Sequence, residues 1–393
     1  MGMIMENFNF SFPTQIYFGR NSHYKVGSYI AKEEKVLILY GSDRVIESGV
    51  LGEIEKSLKA AGIVLTSVGG IKPNPRLSKV YELIDICINE KITFILAVGG
   101  GSVMDTAKAV ALGIEDKNIW DYFCGIKSCC LVIKTKVGVI PTIAASGSET
   151  SSTTVITNDL LKVWEKRDFS YKGLKPKFAI LNPKLTLSVS WEDSACGGID
   201  ILSHVLERYF TQVDHTELTD ELCEATMRTI IRQLKIIQED PCNYDARAEL
   251  MWAGTIAHSN FLSTGRKSDW ATHAIEHQIS AIYDIKHGTG LSILFPAWMT
   301  YVHEYGMDRF SRYAESVWQI KNQDRAAKAK MAISATRRYF KELGQPVSFA
   351  ELGIRDIDKE FIAGRVVDKG TIGEFHKLNR HDIVNILCLA EGL

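Results

Sequence analysis

Asp200, His204, His273 and His287 are the residues of this chain whose types and spacing could do chemistry. Asp200 and His204 stand four apart in Gly198-Ile199-Asp200-Ile201-Leu202-Ser203-His204. On a helix that spacing puts both side chains on one face, with Cβ atoms about 5–6 Å apart. Glu207 follows on the same face. The second cluster is Asp269-Trp270-Ala271-Thr272-His273-Ala274-Ile275-Glu276-His277, with a turn expected at His287-Gly288 ten residues on. Three imidazoles and one carboxylate can hold a divalent transition metal and leave a position open for substrate. His277, one helical turn beyond His273, is the candidate for moving a proton beside that ion; the alternative is that its ring only packs there. There is no His-Glu-x-x-His run, so the zincin arrangement is excluded.

The elements that must position these residues change character along the chain. Residues 35–40, 63–68, 93–98, 137–142 and 178–183 are compact apolar runs, as parallel strands buried on both faces require. Helical spacing follows at 50–61 and 78–89. The run ending at Val98 passes straight into Gly99-Gly100-Gly101-Ser102 and then into a segment of helix composition. Strand, glycine turn and helix gather free backbone N–H groups and a helix N-terminus at one point, where a pyrophosphate can sit. A tight turn without a ligand has the same look, and the spacing is not the common G-x-G-x-x-G. A second loop, Ile143-Ala144-Ala145-Ser146-Gly147-Ser148-Glu149-Thr150, follows the next strand, and ligands of open α/β sheets bind beyond the carboxyl ends of strands.

From about residue 187 strand-like runs give way to amphipathic segments at 195–211, 219–238, 246–261, 270–282, 290–301, 307–320 and 324–343. Two domains are therefore expected: an α/β dinucleotide-binding domain over 1–187 and an all-helical metal-binding domain over 188–393. Trp252 and Phe261 are expected among the walls of a substrate pocket.

The formal net charge of −1 gives no reason to expect nucleic acid or an anionic membrane as partner. No apolar run is long enough to span a bilayer, and no signal-peptide pattern opens the chain. Eight scattered cysteines without a CxxC pair fit reduced thiols of a cytoplasmic protein.

These motifs together resemble the iron-containing (metal-dependent) alcohol dehydrogenase family, in the branch of NAD(P)H-dependent butanol dehydrogenases and broad aldehyde reductases. The resemblance runs from Phe18-Gly19 and Pro73-Asn74-Pro75 through Gly99-Gly100-Gly101-Ser102-Val103-Met104-Asp105-Thr106-Ala107-Lys108 and Ser146-Gly147-Ser148-Glu149. It continues through both metal clusters to Gly370-Thr371-Ile372-Gly373-Glu374-Phe375. It implies a Rossmann-like parallel sheet domain followed by an all-α domain, of the dehydroquinate synthase-like type, with the active site in the cleft between them. It implies one Fe2+ or Zn2+ on Asp200, His204, His273 and His287, with His277 near the substrate. NAD(P)H would be met by Asn74, Gly100, Gly101, Ser102, Asp105, Thr142, Ser146 and Lys166, beside Gly99 of the glycine turn. The substrate would be a small aliphatic aldehyde or alcohol, and the assembly a homodimer.

Two departures keep hydrogen-bonding capacity: Ser146 stands where the family usually has threonine, and Asn182 where aspartate is common. At the end of the first nucleotide strand, Gly41-Ser42-Asp43-Arg44 carries opposed signals. Asp43 would bond a ribose 2′-OH and favour NAD, whereas Arg44 would accept the 2′-phosphate of NADP. A glycerol dehydrogenase or a dehydroquinate-synthase-like lyase shares the fold superfamily, and a nucleotide-binding protein without catalysis is the reading from a different class.

Overall fold

The structure, a computed structural model, describes residues 4–392. They divide into two compact units. One holds Ser11–Val189 and Cys242–Thr255; the other holds residues 4–10, Ser190–Pro241 and residues 256–392. The sequence places Cys242–Thr255 among the helices of the second half. In the structure it packs with the sheet: Met251 joins that unit's core, the Arg20 guanidinium lies over the Tyr244 ring, and the Thr255 hydroxyl bonds Glu149.

The strands are β1 (Gln15–Phe18), β2 (Lys35–Tyr40), β3 (Val64–Val68), β4 (Phe94–Gly99), β5 (Lys136–Pro141), β6 (Thr153–Asn158), β7 (Glu165–Ser170) and β8 (Phe178–Leu181). Six of them form one sheet in the order β1-β8-β5-β4-β2-β3, and every pairing in it is parallel. Each face has its own core. Leu37 and Leu39 of β2, with Ile95 and Ala97 of β4, face the layer containing the Leu77–Glu90 and Gly101–Glu115 helices. Val36 and Ile38, with Phe94, Leu96 and Val98, face the layer containing the Val50–Ala60 helix. Burial on both sides is why these strands read as unbroken apolar runs.

From β2 the chain moves to the β3 edge, and from β4 it moves the opposite way to β5. The strand order therefore reverses between neighbours β2 and β4, and a crevice opens outside the carboxyl ends of such a pair. Gly41 follows β2 there, and Gly99 ends β4 with Gly100 to Ser102 following it.

The antiparallel hairpin of β6 and β7 is absent from the sequence reading. Its strands, Thr-Thr-Val-Ile-Thr-Asn and Glu-Lys-Arg-Asp-Phe-Ser, are too polar to read as buried. Partners distant in sequence hold them. Asp105 receives Val155 N and its carbonyl receives Thr154 Oγ1, while Lys166 Nζ reaches Asn74 Oδ1.

In the helical unit, the Trp191–Tyr209 helix starts at Ser190, whose hydroxyl accepts from Asp193 N as an N-cap. It is buried from Ser194 to its end at Tyr209. Phe210, at its end, meets Trp298 of the His287–Val302 helix at 5.4 Å and Phe375 at 5.8 Å between ring centroids. That aromatic cluster fixes how the two helices cross. Where a turn is expected at His287-Gly288, His287 instead opens the His287–Val302 helix. No helix among the described residues is long and apolar enough to cross a membrane.

Candidate metal and cofactor sites

Three elements of the helical unit bring the four candidate ligands together. Asp200 and His204 lie on the Trp191–Tyr209 helix, with His204 Nδ1 3.6 Å from Asp200 Oδ1. His273 lies in the first turn of the Ala271–Tyr283 helix, and its Nε2 is 4.0 Å from the same oxygen. His287 puts Nε2 3.6 Å from it. Three nitrogens thus face one carboxylate oxygen at separations too long for hydrogen bonds. Donors that share a cation about 2.0–2.2 Å from each stand roughly 3–4 Å apart. His204 Nδ1 and His273 Nε2 are buried and have no hydrogen-bond partner, so two of the three nitrogens offer lone pairs to nothing but this point. The residue types and the orphaned atoms fit a divalent ion.

Close packing of backbones is a condition of this arrangement. A Cβ on Gly288 would lie 2.1 Å from the Cys196 carbonyl oxygen, and one on Gly290 would lie 2.7 Å from Glu276 Cγ. Only glycine at both positions lets the His287–Val302 helix approach far enough to deliver His287. The other end of the site is braced by Arg208, which is fully buried. Its guanidinium donates to the His204 carbonyl at 2.8 Å and covers the Trp270 indole at 4.6 Å. Burial lowers the Arg208 pKa to about 10.

Burial, with His258, His273, Arg208 and His287 nearby, pushes the His204 pKa well below that of a free imidazole, keeping the ring neutral and able to donate electrons. Burial, with Glu207 beside it, pushes Asp269 up to about 7, although Asp269 Oδ1 accepts Glu374 N and Phe375 N and so anchors the C-terminal loop. Burial is the larger influence there, and Glu207 adds to it.

Access is from one side. The His287 side chain is 25 % exposed, against 7 % for Asp200 and His273. The His277 ring is half-buried and lies 5.7 Å from the ring of His287, the most exposed of the four candidate ligands.

Four residues around the site were not assigned a role from the sequence. Glu207 bonds His273 Nδ1, and Glu276 bonds His287 Nδ1. The rings of His258 and Trp270 lie 4.3 and 6.0 Å from the His204 ring. Glu207 had a signal, seven residues after Asp200 on one helical face. Glu276 and His258 had none, because their partners lie on other elements. Of the expected pocket walls, Trp252 packs edge-on against Phe18 in the sheet unit, and Phe261 packs against Phe10 in the helical unit.

The candidate cofactor residues belong to the sheet unit. Gly100 precedes the Gly101–Glu115 helix, whose first turn has neither an acidic residue nor a side-chain cap. Its leading N–H groups are thus available to an anion. A Cβ on Gly99 would lie 2.5 Å from Val103 Cγ2, and one on Gly101 would lie 2.5 Å from Ser146 Oγ, so the turn and the Ser146 loop are in contact. Ser102 accepts Thr106 Oγ1 at its carbonyl. Thr142 N donates to the Gly99 carbonyl at 3.1 Å, closing β5 onto β4. Gly41 lies beside Ile71, and Asp43 is exposed with its carbonyl receiving Ile46 N and Glu47 N.

Three expected cofactor residues, Asp105, Asn74 and Lys166, bond within the protein. Asp105 accepts Ser148 Oγ at 2.5 Å and Val155 N at 3.1 Å, one on each oxygen. Lys108 Nζ donates to Ser148 O, Ser148 Oγ and Thr153 O. Burial pushes Asp105 up and Lys108 down to about 8, which outweighs their attraction across 4.0 Å. Together they clamp the Ser146–Glu149 loop against the helix. Asn74, in left-handed backbone at φ 51°, accepts Lys166 Nζ at 3.0 Å.

Changing Gly101 to valine is expected to force Ser146 away and raise KM for the reduced nicotinamide cofactor about tenfold, or about 1.4 kcal/mol. Metal content is expected to stay unchanged. Steady-state kinetics with metal analysis checks both, and an unaltered KM would remove this turn from the cofactor site.

The comparisons with known proteins agree with this geometry. Residues 13–183 match the family model described as iron-containing alcohol dehydrogenase, and residues 194–390 match the C-terminal model of the Fe-containing alcohol dehydrogenase family. The chain is 36% identical over 389 residues to NADH-dependent butanol dehydrogenase A of Clostridium acetobutylicum, covering 97% of this chain and 99% of that protein. It is 31% identical to the NADPH-dependent aldehyde reductase YqhD of Escherichia coli, covering 95% and 97% of the two chains. The crystal structure of an NADH-dependent butanol dehydrogenase A from Thermotoga maritima superposes with a TM-score of 0.95 at 38% identity, covering 99% of this chain and 100% of that one.

Proposed function

From the chain's membership of the iron-containing alcohol dehydrogenase family, we propose that it interconverts a small aliphatic aldehyde, of the butyraldehyde type, and its primary alcohol. The balanced step is aldehyde plus NAD(P)H plus a proton giving alcohol plus NAD(P)+. The observation that carries this reading is the convergence of His204 Nδ1, His273 Nε2 and His287 Nε2 on Asp200 Oδ1. Fe2+ or Zn2+ on Asp200, His204, His273 and His287 would act as a Lewis acid towards a carbonyl oxygen.

The chain's own residues do the rest. Gly99, Gly100, Gly101 and Ser102 take the pyrophosphate on backbone N–H groups, with Thr142 and Ser146 beside them. Asn74 and Lys166 act as a pair, and Asp105 acts by holding the Ser146 loop. Gly41 and Asp43 border the adenosine ribose, where Asp43 favours NAD and Arg44 favours NADP. His277 passes the proton towards the alcohol oxygen from the exposed side of His287. The dinucleotide functions belong to 1–187 and the metal functions to 188–393. A homodimer in the cytoplasm, without nucleic-acid or membrane partners, completes the reading.

Dialysis against a strong chelator is expected to remove the ion and abolish oxidation of NADH or NADPH by butyraldehyde, followed at the reduced-nicotinamide absorbance band. Adding back Fe2+ or Zn2+ is expected to restore it. Undiminished turnover in verified metal-free protein would overturn the metal role. No turnover of any small aldehyde with either nucleotide would favour a binding protein without catalysis.

A further inference from the structure

We infer that Glu207 is a positioning residue for the metal centre, fixing which nitrogen of His273 faces the ion and where that ring stands. The inference rests on the reading of Asp200, His204, His273 and His287 as a metal site, and it deepens that reading. Glu207 is 1 % exposed on the Trp191–Tyr209 helix, on the same helical face as Asp200 and His204. Its Oε1 lies 2.7 Å from His273 Nδ1 and accepts from His273 N at 3.1 Å. Its Oε2 accepts from Trp270 N at 2.7 Å.

Two of those three partners are backbone N–H groups, which can only donate. Both oxygens are therefore committed as acceptors, and the imidazole must supply its hydrogen from Nδ1. Nε2 then keeps its lone pair. Nε2 is the atom that has no hydrogen-bond partner and that faces Asp200 Oδ1. The tautomer needed for ligation is thus set before any ion arrives.

Glu207 also sets the ring's position. Trp270 has left-handed backbone at φ 63°, unusual for a large side chain, immediately before the Ala271–Tyr283 helix. Glu207 holds that bend from both sides, since its carboxylate takes Trp270 N and its own carbonyl takes Asp269 N at 2.8 Å. A carboxylate at the start of a helix also meets the favourable end of the helix dipole. One residue of the first ligand helix therefore fixes the bend, the opening turn and the ring orientation of the second.

Glutamine at 207 would keep the size and one acceptor oxygen but place an NH2 group among three donors. Turned towards His273, that NH2 would require the lone pair on Nδ1 and move the hydrogen to Nε2. Two measurements test this. Histidine 15N–1H correlation spectra of the metal-free wild type are expected to show His273 as the Nδ1–H tautomer, and Glu207→Gln is expected to shift it towards Nε2–H. Co2+ affinity, from competition with a chromophoric chelator, is expected to fall about 10–100-fold in Glu207→Gln, with an altered Co2+ absorption spectrum. Wild-type Co2+ affinity and spectrum in the variant would overturn the proposal, even if its melting temperature fell. An Nε2–H tautomer at His273 in the metal-free wild type would overturn it without any variant, and decides the matter if Glu207→Gln does not fold. Wild-type protein that binds no divalent ion would overturn the metal reading itself, a result distinct from either of these.

Discussion

Asp200→Ala is expected to empty the metal site and lower kcat for aldehyde reduction by about 10³-fold or more. The size follows from the arrangement of charges. Three imidazole nitrogens face one carboxylate oxygen, and that oxygen is the anionic atom they share, at 3.6, 4.0 and 3.6 Å. Without it a divalent cation would be held by neutral donors in a buried place, with no countercharge among the three remaining ligands. A Lewis acid contributes several kcal/mol to stabilising developing charge, and each 1.36 kcal/mol is tenfold in rate. Asp200→Asn keeps the volume and one acceptor, so it is expected to fold normally and still lose most of its ion. Metal content per protomer, kcat and circular dichroism measured on the same preparations check this. Full occupancy in Asp200→Ala would remove Asp200 from the ligand set.

Gly288→Ala is expected to cost about 1–3 kcal/mol of stability or more, and to weaken metal retention although no ligand is touched. The added methyl would stand 2.1 Å from the Cys196 carbonyl oxygen and 2.8 Å from its carbon. Those are backbone atoms of the helix that carries Asp200, and they cannot rotate aside as a side chain can. Relief requires the two helices to part, and His287 is the residue next to the point of contact. Urea unfolding combined with ion release to a chelator measures both effects. A variant with native stability and native retention would show that this close approach does not set the position of His287.

The parts of the fold that were legible in the sequence are those with one dominant physical demand. β2, β4, β5 and β8 are buried on both faces, so their apolar runs have no competing explanation. The Trp191–Tyr209 helix announced itself through Asp200, His204 and Glu207 on one face. The hairpin of β6 and β7 did not, because its polar strands depend on Asp105 and Asn74, which reach them from 50 and 92 residues away. His287-Gly288 reads as a turn in the sequence because glycine usually breaks a helix; in the structure it permits contact between two helices. Lys166 was placed by motif spacing, and the structure shows it bonded to Asn74, another residue of the same expected set. Glu276 shows the limit of spacing: three residues after His273 it serves His287 instead, through a crossing that no local pattern encodes.

The split of the chain into interrupted units has a consequence for the order of synthesis. The sheet unit includes Cys242–Thr255, which leaves the ribosome after the first ligand helix. Until then its core lacks Met251, and the buried Glu149 lacks the Thr255 hydroxyl. The helical unit begins with residues 4–10, where Glu6 N bonds the Gly265 carbonyl, so its first segment waits for more than 250 residues of nascent chain. The sheet unit is therefore complete only once Thr255 has emerged, and not at residue 189 as an uninterrupted N-terminal domain would be. A newly made chain holds the sheet unit open until Thr255 has emerged and the helical unit open for longer still, an interval of exposure to aggregation and to chaperones.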